Sequence, residues 1–240
     1  MKRPQSFESA KRRRSRIVRF VKTVLLIYVS LELLSVFGIK TWVVGSTTMV
    51  PTLEPKDRVL VAPSAYSLFN PFTAKRHLLK QAERGDIVLM RLPSSSTPSW
   101  YKRMANSLLR FITLQRFGLD NNVNSAFVIK RVIATPGDII KMEGYLLQVK
   151  AAGSKHFLTE YEVSPEAYEI YAIKPTEAWD AKLPLSGYMP EVSLGPDEYF
   201  VAGDNRLTHA DSRFFGPIKS GLVEAKVLLR YWPLTKIGRP

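Results

Sequence analysis

The sequence predicts a mainly β fold of about 200 residues, at 40–240, carried behind a single N-terminal helix. Three observations predict it. Residues 17–39 form one long apolar run. After residue 40 the chain breaks into short runs rich in Val, Ile, Leu and Tyr, separated by Pro, Gly and charged turns. Hydrophobic residues make up 45% of the 240-residue chain and charged residues 23%, enough apolar material for a core and too much for general disorder.

The N-terminal segment comes first. Residues 1–22 hold nine cations (Lys2, Arg3, Lys11, Arg12, Arg13, Arg14, Arg16, Arg19, Lys22) against one acid, Glu8, so most of the +14 net charge sits at this end. A basic nucleic-acid binder would spread its charge over a folded face, and this chain does not. As a helix, the 23 residues of 17–39 would reach roughly 35 Å, enough to cross a bilayer core of about 30 Å. Arg19 and Lys22 fall in its first two turns, where long stems can carry charge back to the headgroups. Glu32 fits less well at membrane depth.

The expectation is a transmembrane anchor at 17–39 after a basic cytoplasmic tail at 1–16, with residues 40–240 extracytoplasmic. An interfacial or buried helix stays open. So does a cleaved leader, although the run is longer than such regions and its candidate small-residue site, Val43-Val44-Gly45, is weak.

Strands are expected at 40–44, 58–62, 86–91, 127–134, 139–142, 145–150, 198–202 and 224–232, with turns at Pro136-Gly137 and Gly144. Two stretches interrupt this pattern. At 100–117, Trp100, Met104, Leu108, Phe111 and Ile112 recur at helical spacing among cations, either as a helix packed on the β domain or as one lying on a membrane surface. Residues 151–196 are mixed in composition and read as an inserted lobe.

No cysteine is present, which excludes disulfides, thiolate nucleophiles and cysteine-ligated metals. His77, His156 and His209 are scattered, and a lone histidine is more often structural than a ligand, so no metal and no cofactor is expected. Nucleotide-binding loops, the H-E-x-x-H helix and the G-x-S-x-G elbow are all missing. What remains is the hydroxyl-rich turn STTMVPTL at 46–53, directly after the apolar run, and Lys130 within an apolar strand.

Four ordered motifs carry a resemblance: STTMVPTL at 46–53, GDIVL at 85–89, KRVIATPGD at 130–138 and GDNRLTHADSRFFG at 203–216. Together the chain resembles the type I signal peptidases, serine–lysine dyad proteases of family S26. The resemblance implies a signal-peptidase-type β-barrel and membrane-bound removal of signal peptides from exported preproteins. It further implies a bacterial cytoplasmic-membrane location, with signal peptides, the lipid bilayer and the export machinery as partners.

It assigns position 48 as nucleophile, Lys130 as general base, and the Thr48 N–H with the Ser46 hydroxyl as oxyanion hole. Arg131, Asp204, Asp211 and Arg213 match the structural ion pairs. The chemistry is coherent, because a hydroxyl needs a base beside it and lysine can serve only when neutral.

Two positions depart from the family pattern. Thr48 stands where serine is usual, and its methyl stiffens the side chain and crowds the attack. His209 stands where a lysine-orienting serine is usual, with Thr208 beside it as a substitute hydroxyl. An active enzyme and a catalytically impaired paralogue that binds signal peptides or scaffolds an export complex both follow from these residues.

Overall fold

The computed structural model describes residues 7–37, 39–70, 75–78, 80–93, 105, 109, 126–173, 186–208 and 210–240. The expected helix at 100–117 therefore lies outside the described residues, apart from 105 and 109, and so does His209.

Helix α1 spans Phe7–Phe37. Its side chains at Ile17, Phe20, Val21, Leu25 and Leu26 are all exposed, so the β domain does not cover this apolar surface. Among the described residues, no helix is long and apolar enough to cross a membrane. This departs from the span expected at 17–39. The physical reason is in the sequence, where Arg19, Lys22 and Glu32 dilute the hydropathy of a run already continuous with the basic segment.

Thirteen strands are described: β1 (Lys40–Val43), β2 (Arg58–Ala62), β3 (Ser67–Asn70), β4 (Lys75–Leu78), β5 (Ile87–Arg91), β6 (Phe127–Ala134), β7 (Ile139–Glu143), β8 (Leu146–Lys150), β9 (Leu158–Thr159), β10 (Met189–Ser193), β11 (Glu198–Ala202), β12 (Ile218–Lys219) and β13 (Val223–Trp232). Among the described residues there are also two short α-helices, α2 (Glu160–Val163) and α3 (Ser212–Phe215), and single 3-10 turns at Pro63–Ala65, Ser220–Leu222 and Leu234–Lys236.

The main sheet has the order β1-β2-β13-β5-β6-β11-β12, and a second sheet runs β10-β7-β8-β9. Among the described residues β1 and β12 end the strand order of the main sheet, so the β-barrel expected is present as a half-barrel sheet. The stretch at 151–196 is partly built into the second sheet through β9 and β10, instead of standing apart as a lobe.

Strand alternation sorts the core. Ile87, Leu89 and Ile129 pack with Val44, Met49 and Leu53 on one face of the main sheet. Val88, Met90 and Val132 pack with Tyr66, Tyr199 and Val201 on the other. Because β5 and β6 are central, both their faces are buried, and they read as nearly continuous apolar runs.

The turn Gly144-Tyr145 has φ of 60° and 67°, so Tyr145 belongs to the hairpin turn and β8 begins one residue later than expected. Asp86 likewise closes a turn, accepting from the Glu83 N–H at 3.1 Å, and β5 starts after it.

Asp138 anchors the turn between β6 and β7. It is 1% exposed and accepts from the Thr135 N–H, the Ala152 N–H and both Nε and Nη2 of Arg84. Asp138→Ala leaves those donors unmatched. It is expected to cost about 2 kcal/mol, read as a thermal midpoint lower by about 6 °C.

Candidate active site

The site forms where three pieces of chain meet: the turn after β1, strand β6, and the loop after β11. The turn is set by core anchors, since Val44, Met49 and Leu53 are buried in the main-sheet core and the Leu53 N–H donates to Met49 O at 2.8 Å. This holds the intervening hydroxyls at the surface of the core. Thr48 is 8% exposed, and its Oγ1 lies 3.0 Å from Ser46 Oγ.

Lys130 sits mid-strand in β6, opposite Val88 of β5 in register. Alternation places it on the same face as Val128 and Val132, while Ile129 packs into the opposite core. The side chain is fully buried, and among the described residues its Nζ has no hydrogen-bond partner.

Burial is the largest influence on its pKa, lowering it from the ordinary 10.5 to about 8. The charges of Asp211 and Asp204 pull it back up, and that of Arg213 pushes it down. The result is an amine that is half neutral near pH 8, where an ordinary lysine is almost wholly charged.

Gly203 brings the pieces together. A Cβ there would collide with the Thr48 carbonyl oxygen and stand 3.3 Å from Lys130 Nζ, so only glycine lets the loop pass between them. Asn205 then fastens the loop to the turn. Its backbone N–H donates to Thr48 O at 3.1 Å, and its Nδ2 donates to Thr47 O at 3.2 Å.

The charges around this point are paired. Arg131, next to Lys130 on the other face of β6, donates from Nε and Nη2 to the two oxygens of Asp204 at 2.9 and 2.8 Å. Asp204 also accepts from Thr52 Oγ1 at 2.5 Å, tying the hydroxyl turn to the same carboxylate.

Asp211 caps α3, accepting from the Arg213 N–H, and its side chain takes Arg213 Nε and Nη2, both at 2.9 Å, together with the Gly203 N–H at 3.0 Å. Burial works against the Asp211 carboxylate, but the hydrogen bonds and charge of Arg213 more than offset it and leave its pKa below the ordinary value.

Ser46, Thr48, Lys130, Arg131, Asp204, Asp211 and Arg213 are thus brought to one place. Thr208 is not joined to the lysine: its hydroxyl donates to Asn205 O at 2.8 Å, so the expected substitute contact is not made. The motif reading passed over Asn205 and Gly203, although both lie in the quoted GDNR segment; their signal was the need for a tight crossing beside the hydroxyl turn.

A mainly β domain that holds a hydroxyl-bearing turn against a buried, unpaired lysine has the arrangement of a serine-type endopeptidase working with lysine in place of histidine. Comparison with known proteins agrees. The profile described as "Signal peptidase, peptidase S26" matches residues 17–232. A probable signal peptidase I-2 of Synechocystis sp. is 26% identical, over 84% of this chain and 69% of its own length. A signal peptidase I of Leptolyngbya laminosa is 26% identical, over 88% and 79%. A signal peptidase I P of Bacillus subtilis subsp. natto is 26% identical, over 86% and 84%. The chain belongs to the signal peptidase family, peptidase S26.

Two outcomes test the site without an activity assay. The unfolded chain keeps the Lys130 proton up to about pH 10.5, whereas the folded chain releases it near 8. Below pH 8 the fold must therefore bury a charge, and that burden lifts as pH rises between those values. Lys130→Met is expected to be more stable than wild type at pH 6 by about 3 kcal/mol, with the gap closing by about pH 10.5 in denaturant titrations. A gap independent of pH contradicts a depressed Lys130. Gly203→Ala is expected to displace the Thr48 turn and cost about 2 kcal/mol or more of stability, measured the same way.

Proposed function

We propose that the protein is a membrane-attached endopeptidase that removes N-terminal signal peptides from exported preproteins at the bacterial cytoplasmic membrane. The observation that carries this reading is the buried Lys130 amine, unpaired and biased toward neutrality, reached by the same glycine crossing as Thr48.

In this mechanism Lys130 takes the proton of Thr48 Oγ1 as that oxygen attacks the scissile carbonyl. The oxyanion is held by the Thr48 N–H and the Ser46 hydroxyl, which already lies 3.0 Å from Thr48 Oγ1. Lys130 passes the proton to the leaving amine, and water, deprotonated by the same lysine, then hydrolyses the ester. Arg131–Asp204 and Arg213–Asp211 brace the site without reacting.

Helix α1 supplies the bilayer attachment in this reading. Its cations Arg12, Arg13, Arg14 and Arg16 precede the exposed apolar run, a pairing of basic and apolar surface suited to anionic headgroups and the lipid beneath them.

One observation favours a slower catalyst. The Thr48 hydroxyl is engaged by Ser46, while Lys130 Nζ accepts or donates no hydrogen bond among the described residues. The extra methyl of threonine restricts the rotation that would join them.

A preprotein-processing assay on the purified protein tests the reading. Wild type is expected to cleave, Thr48→Ala and Lys130→Ala to lose at least about 10³-fold, Ser46→Ala about 10²-fold, and Thr48→Ser to be faster than wild type. Unchanged cleavage in Thr48→Ala removes Thr48 as the nucleophile. An inert wild type that gains activity in Thr48→Ser identifies the impaired-paralogue reading instead.

A further inference from the structure

The segment at 158–171 lies outside the four motifs, yet it is locked onto the catalytic loop through buried contacts. Its start is fixed locally: Thr159 caps α2 by accepting from the Glu162 N–H, and the Glu162 carboxylate reaches back to the Thr159 N–H at 2.7 Å. This presents Glu160, the first residue of α2, to the interior, where it is 1% exposed.

Glu160 there accepts from the Leu147 N–H at 3.0 Å and from the Tyr168 hydroxyl at 2.5 Å, and it forms an ion pair with Arg206, which is fully buried. Burial and the Glu160 charge push the Tyr168 phenol well above its ordinary pKa, so it stays a donor. Tyr168 in turn lays its ring 4.0 Å from the Arg131 guanidinium, on the arginine that clasps Asp204. Three residues further on, Tyr171 runs parallel to Asn205: its N–H donates to Asp204 O and its carbonyl accepts from the Arg206 N–H, each at 2.8 Å.

Three successive loop residues, Asp204, Asn205 and Arg206, are therefore gripped from outside by this one strap. Asn205 is the residue that bonds the Thr47 and Thr48 carbonyls, and Asp204 follows the Gly203 crossing. A surface insertion with no part in the site would not need a buried carboxylate aimed at a buried loop arginine, because a desolvated ion pair is costly to maintain.

We infer that Glu160 and Tyr168 are positioning residues, and that the 158–171 strap sets the placement of the Asp204–Arg206 loop against the Thr48 turn and Lys130. Neither residue touches the reacting atoms. The strap acts through Arg206 and Arg131, and loosening it lets the loop withdraw while the main sheet stays intact. The kinetic consequence rests on the proposed reaction; the placement itself does not.

The test uses the full chain and the variants Tyr168→Leu, Tyr168→Phe and Glu160→Gln, with residue-resolved amide exchange and steady-state processing kinetics on the same samples. Tyr168→Leu is expected to speed exchange at Asn205 and Arg206 by about tenfold while amides of β5 and β6 are unchanged. It is also expected to lower kcat by about tenfold with KM within about twofold. Tyr168→Phe, which keeps the ring on Arg131, should fall nearer wild type in both readouts, and Glu160→Gln should behave like Tyr168→Leu.

Exchange that rises equally throughout the sheet, or does not rise at the loop, overturns the inference, because a merely structural contact predicts either of these. If wild type does not process preproteins, the proposed reaction fails and the exchange comparison still decides the strap. If Glu160→Gln does not fold, the two Tyr168 variants decide it.

Discussion

An amine buried without a partner is the constraint around which this molecule is arranged. Taking a lysine out of water disfavours its charge, and the cost recedes only if the group gives up its proton. Lys130 can be held this way because β6 lies in the middle of the main sheet, with apolar strands on either side and Val128 and Val132 on the same face. An edge strand would leave the amine in water with an ordinary pKa. The central position of β6 is thus a chemical requirement as well as a topological one.

The surrounding charges follow from the same constraint. Nearby negative charge favours the protonated form of a lysine, and Asp211 and Asp204 both lie close enough to pull its pKa upward. Each is occupied by its own arginine, so their charges are largely spent locally. The same carboxylates do positional work, since Asp211 takes the Gly203 N–H and Asp204 takes the Thr52 hydroxyl. Electrostatic shielding and loop placement are therefore carried by the same few bonds, and the strap from 158–171 extends that frame outward to Arg206 and Arg131.

Much of the sheet was legible in the sequence because central strands advertise themselves. Residues 127–134 and 198–202 are strands over the expected bounds, since both are apolar apart from Lys130-Arg131 and Glu198 and are bounded by turn residues. The hairpin of β3 and β4 and the two-residue strands β9 and β12 were not legible, being too short or too polar for periodicity to register. The β-barrel was read from resemblance, and the strand order that forms its half-barrel sheet depends on long-range pairing that composition does not encode.

At the site, Thr48, Lys130 and the charged residues were named from their motifs, but their burial and pairing needed the fold. Asn205, Glu160 and Tyr168 were passed over for a different reason. Their contacts join residues from 8 to 158 positions apart, and no motif in the chain marks them.

The central claim is that burial lowers the Lys130 pKa to about 8, so that a usable fraction of the amine is neutral at working pH. The most direct measurement is a ¹³C NMR titration of lysine-labelled protein, with the Lys130 resonance assigned from Lys130→Met. A Lys130 midpoint near about 8 is the result the structure predicts. A midpoint near the ordinary 10.5 would contradict it, and with it the proposed role of this lysine as a base.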